Sequence, residues 1–199
     1  MEKCGDFAKA GVGMKKLLGV AIVFVATVLL AACGGERELD FRSVLDVETD
    51  MILRLGDSLS DFEDVLGVGE NVELEWEWTE DIENFASYYF ANGILYVFFV
   101  DDEAVGIIQD KESTRFQFSD MSFDMTSADI AGRFVDRGLD SEFFIIYDRF
   151  YDSRGRDVSD REDADYGARI IYWIDDLLDQ GVGMLEIFVI GWDNDFESD

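Results

Sequence analysis

The sequence predicts an α+β fold made of two tandem repeats, each a short helix plus an antiparallel sheet of three to four strands. Two observations predict it. Apolar and aromatic residues fall into blocks of strand length, and a capped-helix signature occurs twice, 68 residues apart, at Ser58 and at Thr126. We expect the first repeat at residues 48–117 and the second at residues 118–192.

The first helix is predicted to begin after Ser58 and to end at Gly67. Ser58 suits an N-cap, and Asp61 stands three residues later, near the positive end of the helix dipole. One face carries the apolar residues Phe62, Val65 and Leu66. The helix therefore has a beginning, an end and a side that faces a core.

The second helix repeats this pattern, because Thr126, Asp129 and Ile130 match the cap, the acid and the first apolar residue of the first helix. Phe134 then corresponds to Leu66. The match is short, and chance agreement is the alternative to duplication.

Strands are predicted after each helix. In the first repeat they are residues 72–78, which alternate strictly, then 85–91 and 94–100 around Asn92-Gly93, then 105–109. In the second repeat they are residues 142–147, 168–174 and 184–190. Residues 148–166 are predicted to form a mobile polar hairpin loop, and residues 193–199 a frayed acidic tail.

The strands 85–91 and 94–100 carry aromatic residues on both faces, so both faces need to be covered. The helices would cover one face. The second repeat or a partner protein would cover the other, and the candidates for such an interface are Tyr88, Phe90, Phe99 and Trp173. The loop arginines, which either contact an acidic partner or pair with neighbouring acids, are Arg149, Arg154, Arg156 and Arg161.

An export signal precedes these repeats. Lys15 and Lys16 are followed by an uncharged apolar run of about 16 residues, which is shorter than the roughly 20 that span a bilayer. The run ends in Leu30-Ala31-Ala32-Cys33, which resembles the lipobox of bacterial lipoproteins. The resemblance implies cleavage before Cys33, diacylglycerol on its thiol and often an acyl group on its new amino terminus, so that palmitate-type chains hold the protein at a membrane.

We therefore expect a signal peptide at residues 1–32, whose true start is Met14, and a lipidated tether at residues 33–47. A plain signal peptide or a signal anchor with an incidental cysteine is the alternative. Gly34 stands where resemblance to Gram-negative lipoproteins would put an inner-membrane aspartate, which favours the outer membrane in such a host, facing the periplasm or the exterior.

Composition limits the chemistry of the expected mature chain. Residues 1–32 contain four of the 16 basic and two of the 45 acidic residues, so the remainder has a formal charge of −31. This charge argues against nucleic acid as a partner and favours cationic ligands. The chain has no histidine, and of its two cysteines, Cys4 and Cys33, the expected mature chain keeps only Cys33, which excludes Ser-His-Asp triads, disulfides and the usual zinc and copper sites.

Two acid-based alternatives remain. Weak calcium binding is conceivable at residues 101–103, 160–165 or 193–199, although none fits an EF-hand loop, and no other cofactor is expected. A carboxylate hydrolase would need two acids beside a sugar cleft, where Trp76, Trp78 and Trp173 would stack on the substrate. Packing in the core is the competing explanation for these tryptophans.

The segment Gly56-x-Ser58-x-x-x-Phe62-x-x-Val65-Leu66-Gly67, placed after a lipobox and before an aromatic hairpin, resembles the small outer-membrane-assembly lipoproteins of the SmpA/OmlA type. Two such units in tandem resemble the β-lactamase inhibitor protein (BLIP) fold. The resemblance covers residues 52–192 as a pattern and implies protein binding without catalysis.

The sequence thus predicts a lipid-anchored, non-enzymatic interaction or envelope-structural module, whose partner is another envelope or extracellular protein. A binding lipoprotein for a divalent metal or cationic small molecule is the first alternative, and a hydrolase is the second.

Overall fold

A computed structural model describes residues 39–73, 82–110, 112–139, 144–174 and 181–191. These residues form mostly antiparallel strands with two short helices, so the α+β prediction holds in this coarse sense. In chain order the elements are β1 (Ser43–Asp46), β2 (Met51–Arg54), α1 (Leu59–Leu66), β3 (Glu70–Asn71), β4 (Phe85–Phe90), β5 (Leu95–Val100), β6 (Glu103–Gln109), β7 (Phe116–Phe118), α2 (Ser127–Ala131), β8 (Val135–Leu139), β9 (Phe144–Tyr151), β10 (Asp157–Val158), β11 (Tyr166–Trp173) and β12 (Gly181–Val189).

Within the described residues the large sheet has nine strands in the order β10-β9-β11-β12-β6-β5-β4-β3, with β8 on the same edge of β9 as β10. After α1 the chain forms the meander β3-β4-β5-β6, and after α2 it forms the meander β8-β9-β11-β12. The last strands of the two meanders pair with each other, Leu185 opposite Gln109 and Phe188 opposite Gly106. One continuous antiparallel sheet results.

A smaller sheet has the order β2-β1-β7 and buries Val44, Leu53 and Phe118 in the main core. Its strand β1 corrects the sequence prediction, because residues 43–46 were expected to belong to the tether 33–47. They pair on one side with β2 and on the other with β7. Four residues are too few to show a strand period, and β7, which pairs with one edge of β1, follows only after β6 in the chain.

Both predicted helix starts are confirmed. Ser58 and Asp61 form a reciprocal capping box, and so do Thr126 and Asp129. These side chains satisfy amide groups that the first turn of a helix leaves without partners. Gly67 ends α1 at a φ of 83°, a positive value that glycine adopts without the steric cost that a β-carbon would impose.

The helices cover one face of the large sheet, which we call the first face. Phe62 of α1 and Ile130 of α2 are fully buried there in a single core that extends across both meanders. The opposite face, which we call the second face, carries a smaller cluster around the buried side chains Tyr96, Phe98, Phe150 and Phe188. The prediction that the helices lie on one side of the aromatic strands is therefore correct.

The second half is more regular than its sequence indicated. Strand β9 continues to Tyr151 and β11 begins at Tyr166, so Asp148 lies inside a strand although residues 148–166 were predicted as a loop. Only the residues between those two strands form the connection, and these include the short strand β10 and one 3-10 turn, Arg161–Asp163. Most of the predicted strand 72–78 and the whole tail 193–199 lie outside the described residues.

Candidate functional site

The chain enters the folded domain through a ring contact at Phe41. Leu30, Ala31, Ala32 and Cys33 lie outside the described residues, which begin at Leu39. The Phe41 ring stacks on Tyr151 with centroids 4.6 Å apart and meets the edge of Tyr166 at 5.5 Å. A β-carbon on Gly155 would come within 2.6 Å of the Phe41 ring, so the turn after β9 needs glycine to close over it. We call Phe41, Tyr151, Gly155 and Tyr166 the entry cluster.

Arg42 adds charge to the entry cluster. Its guanidinium lies 5.4 Å from the centre of the Phe41 ring and 5.5 Å from that of Tyr166. Its backbone amide donates to Oδ1 of Asp40 at 2.9 Å, and its Nη2 donates to Oδ2 at 3.3 Å. The pKa of Arg42 is raised, first by its hydrogen bond with Tyr166 and then by Asp40, with burial opposing both. The entry is thus a defined structure, whereas the sequence suggested a tether.

Two of the predicted interface residues belong to the core. Phe90 and Phe99 are 2% and 1% exposed, and their ring centroids lie 5.7 and 5.5 Å from that of Phe62 in helix α1. Tyr88 is half-buried on the same face, and the centroid of its ring lies 5.9 Å from that of Phe99. The interface prediction is therefore wrong for Phe90 and Phe99, because the helix that follows Ser58 covers the face they share.

Trp173 is the predicted interface residue that the structure leaves at the surface, with 36% exposure. It ends β11 opposite Phe144, and the two rings meet edge to face at 5.4 Å. The indole lies against Gly183, where an added β-carbon would fall 1.5 Å from its Nε1. Trp173 is thus a fixed aromatic surface at the end of the β9–β11 pair that lies opposite to the entry cluster.

The second face carries a buried ion network that the sequence analysis missed. Arg169 is 6% exposed, and its Nε and Nη2 donate to the two oxygens of Asp148 at 2.8 and 3.2 Å. Its Nη1 lies 3.6 Å from Oε2 of Glu186, and its guanidinium lies 4.9 Å from the ring centre of Phe188. These residues are cross-strand neighbours in β9, β11 and β12. The available signal was a charged residue at an interior position of each apolar strand.

The loop arginines Arg149 and Arg156 pair with neighbouring acids, which confirms the simpler of the two explanations for them. Arg149 donates to both oxygens of Asp157 at 2.8 and 2.7 Å, and its Nη1 contacts Asp120 at 3.2 Å. The hydroxyl of Tyr151 also donates to Asp120, at 3.0 Å. The pKa of Tyr151 is raised, mainly by burial and then by the charge of Asp120. Arg156 donates to Asp152 through Nε at 2.7 Å.

A further ion pair borders a cavity of about 310 Å³ between the turn after β1, the β4–β5 turn and residues 113–115. The Nε and Nη2 of Arg115 donate to the two oxygens of the buried Asp46, both at 3.0 Å, and its Nη1 lies 3.1 Å from Glu48. Burial raises the pKa of Asp46, but the hydrogen bonds from Arg115, Thr49 and the Glu48 amide outweigh it and leave this pKa below its usual value. All three guanidinium nitrogens therefore already have carboxylate partners.

The described acids do not converge on a metal site. Among those residues no group of three or more acidic side chains could hold a metal ion. In the acidic turn 101–103, Asp101 accepts from Asn84 Nδ2 at 2.7 Å and Asp102 accepts from the Leu59 amide at 3.3 Å. Asp160 caps the 3-10 turn that follows it. These carboxylates stabilise turns.

One described carboxylate with a raised pKa is that of Asp57. Burial raises the pKa of Asp57, and the charge of Asp61 adds to this effect, but the Arg54 amide donates to Asp57 at 2.7 Å within a turn. The pKa of the neighbouring Asp61 is lowered by its capping hydrogen bonds with Ser58. Trp76 and Trp78, the other candidates for sugar stacking, lie outside the described residues.

The chain matches no family model, no curated protein and no solved structure in the comparisons made with it. Within the described residues no helix is both long and apolar enough to span a membrane.

Proposed function

We propose that this chain is a membrane-anchored bacterial lipoprotein, whose domain is a non-enzymatic protein-interaction or envelope-structural module. The observation that carries the proposal is the tetrapeptide Leu30-Ala31-Ala32-Cys33 at the end of a short apolar run with a basic start. The folded elements begin only a few residues later, which suits a domain attached to lipid by a short segment. Two or more acyl chains would give stable anchoring, whereas one chain gives only marginal binding.

The test is lipid attachment to the full chain, expressed in a bacterial host that processes lipoproteins. Cells fed an alkyne-tagged palmitate should yield a labelled protein in the membrane fraction, and inhibition of the lipoprotein signal peptidase should leave a larger precursor. Cys33→Ser should abolish the label and the membrane association. Cys4→Ser is the matched control and should change neither, since Cys4 lies within the removed segment. Label that persists in Cys33→Ser, or depends on Cys4, contradicts the proposal.

The interaction role is supported by the surface chemistry of the domain. Trp173 presents 36% of its surface beside Phe144, and rigid aromatic side chains are enriched in protein interfaces. The expected partner is another protein of the envelope or the exterior. Cross-linking in intact cells through a photoreactive residue at position 173, followed by membrane pull-down, should recover a specific partner, whereas a photoreactive residue at Val68, an exposed apolar position far along the chain, should not.

We also propose that the two meanders arose as a tandem duplication. The order helix and then four antiparallel strands occurs twice, and each helix begins with a capping box. The pairing of β6 with β12 joins equivalent last strands of the two units, as a two-fold relation would require. Superposition of the two units should align Ser58 with Thr126 and β4-β5-β6 with β9-β11-β12. A superposition that fits only with a different strand order rules out duplication.

A second candidate function, binding of a cationic small molecule or a divalent ion, is favoured by the formal charge of −31 in the expected mature chain. Titration calorimetry with spermine and with calcium at low ionic strength tests it. Saturable heat at a defined stoichiometry supports a site. Heat that vanishes in 0.15 M salt indicates only screening of a diffuse acidic surface.

A further inference from the structure

We propose that the entry cluster defines the end of the domain that faces the membrane, and that the Phe144–Trp173 end faces away from it. This inference rests on the proposed lipid attachment at Cys33. It goes further, because it assigns an orientation and so decides which surface a partner in the envelope can reach.

The first step is the length of the attachment. Eight residue steps separate Cys33 from Phe41, and a chain covers at most about 3.6 Å per residue, so the two are no more than about 29 Å apart. A domain of about 160 residues has a radius of gyration near 15 Å, which corresponds to a diameter of about 40 Å. The attachment is therefore shorter than the domain is wide, and it is fixed at one end of the domain. Both properties restrict which side of the domain can turn towards the bilayer.

The second step is that the attachment point is rigid. The Phe41 ring is held by Tyr151, Tyr166 and Gly155, and strand β1 begins two residues later between β2 and β7. The chain therefore cannot pivot freely about a frayed start. Its entry direction is set by contacts on the second meander, at the end of strands β9 and β11.

The third step is the position of the exposed aromatic pair. Tyr166 lies opposite Tyr151 at the entry end, and Trp173 lies opposite Phe144 at the other end of the same two strands. Seven steps of about 3.3 Å separate the two pairs, or roughly 23 Å. Trp173 is therefore about that much farther from the attachment point than the entry cluster is.

The fourth step is electrostatic. An anionic lipid surface repels a domain with a formal charge of −31, and this repulsion extends over about 8 Å in 0.15 M salt. Repulsion leaves the entry end, where the chain is attached, as the part of the domain closest to the lipid. The orientation should therefore sharpen as the salt concentration falls.

The experiment uses the full chain, lipidated in cells and reconstituted into vesicles of 70% phosphatidylcholine and 30% phosphatidylglycerol that contain an acceptor dye on the lipid headgroup. Because processing would remove Cys4 and modify Cys33, a single introduced cysteine can be labelled with a donor dye. Ser153→Cys reports on the entry end, in the exposed turn that includes Gly155. Gly181→Cys reports on the far end, opposite Trp173, where an added β-carbon meets nothing within 4 Å.

With a separation of roughly 23 Å along the strands, energy transfer to the lipid should be about twofold more efficient from position 153 than from position 181. A flexible insertion of about 20 Gly and Ser residues between Gly35 and Glu36 should remove the difference while the protein stays on the membrane. Equal transfer from both positions in the membrane-bound protein overturns the orientation alone. A difference that survives the insertion overturns the role of the short attachment. Absence of lipid-dependent membrane binding overturns the anchor and the orientation together.

Discussion

The two meanders build the second face of the same sheet from different chemistry. In the first meander this face carries aromatic side chains, with Tyr89 stacked on Tyr96 at 4.4 Å and Phe85 stacked on Phe98 at 5.9 Å. In the second meander the same face also carries Phe150 and Phe188, but beside them lies the buried ion network of Asp148, Arg169 and Glu186. The aromatic part gains free energy from every apolar contact, whereas the ionic part must first offset the cost of removing charges from water.

This difference means that the two halves should fail in different ways. Aromatic packing loses stability in proportion to the volume removed, and neighbouring side chains relax partly into the space. A buried ion network tolerates complete replacement better than the loss of one member, because a single deletion leaves an unpaired charge in the interior. The comparison therefore predicts an unequal response to single substitutions on one face of one sheet.

The largest effect is expected for Arg169→Met, which removes the cation shared by two buried carboxylates. Asp148 would keep the ion pair with Arg137, at 3.7 Å, and Glu186 would lose the contact with Arg169 at 3.6 Å. We expect the free energy of unfolding to fall by about 3–5 kcal/mol, measured by urea denaturation at pH 7. Arg133→Met is the matched control, because Arg133 is exposed and its partner Asp120 keeps Arg149 and Tyr151, and it should cost about 0–1 kcal/mol.

The decisive complement is the triple variant Asp148→Leu, Arg169→Met and Glu186→Leu. If the network confers little net stability, this variant should recover most of the loss of the single substitution. A triple variant that is less stable than Arg169→Met would mean that the two halves do not differ in the way proposed, and that the ion network contributes net stability.

Next in size is Phe98→Leu in the aromatic half. Phe98 is 2% exposed and meets Tyr96 edge to face at 4.6 Å. The smaller side chain leaves unfilled volume, so we expect a loss of roughly 1–3 kcal/mol in the same denaturation experiment. Phe85→Leu, at a half-buried position on the same face, should cost less. A larger loss at Phe85 than at Phe98 would show that the burial pattern of this face differs from the one described.

A third prediction concerns the small sheet, in which β1, just after Phe41, pairs with β7, which lies between the two meanders in the chain. The pKa of Asp46 is lowered in the folded state, so its ionised form stabilises the fold above its unfolded pKa of about 3.9, and this contribution is lost as pH falls through the lower folded value. Asp46→Asn should therefore cost about 1–3 kcal/mol at neutral pH, because the charge-assisted bonds from Arg115 are lost.

The measurement is urea unfolding of both proteins at several pH values from 7 to 3. The gap between wild type and Asp46→Asn should narrow below about pH 4. A constant gap over this range would indicate that the asparagine disturbs packing and that the charge of Asp46 contributes nothing.

Local features of this fold could be predicted from the sequence, whereas long-range pairings could not. The hairpin around Asn92-Gly93 and the caps at Ser58 and Thr126 were predictable, because turn and cap chemistry acts over a few residues. Strand β1 was missed because four residues have no measurable period, and because its pairing with β7 joins segments that lie before and after the first meander in the chain. The sheet order, including the contact of β6 with β12, depends on pairings about 80 residues apart, which no local pattern encodes.

For the candidate surfaces too, the sequence predicted local geometry but not which residues are buried or paired. Side chains alternate between the two faces along β4 and β5, which assigned Phe90 and Phe99 to one face and Phe98 to the other. This alternation gave no information on which face the helices would cover. Arg169 stood in an apolar strand as an isolated charge, and only the register of three strands brings Asp148 and Glu186 beside it. A period assigns side chains to faces, whereas burial and partners follow from the assembly of the elements.

The smallest effects are expected at the helix caps. Both halves have a capping box, but their helices differ in length. Helix α1 has eight residues and α2 has five, and each capping residue satisfies an otherwise unpaired amide. Ser58→Ala and Thr126→Ala should each cost about 1 kcal/mol, while Ser127→Ala, just inside the second helix, should be nearly neutral.

The two cap variants should nevertheless differ in local opening. A five-residue helix has few internal hydrogen bonds, so the loss of its cap removes a larger share of what holds it, whereas α1 is also held by Val65 and Leu66 against the core. Hydrogen exchange of the Ile130 and Phe134 amides should therefore rise more in Thr126→Ala than exchange of the Phe62 amide rises in Ser58→Ala. Equal changes would mean that packing of Ile130, and not the cap, holds the second helix.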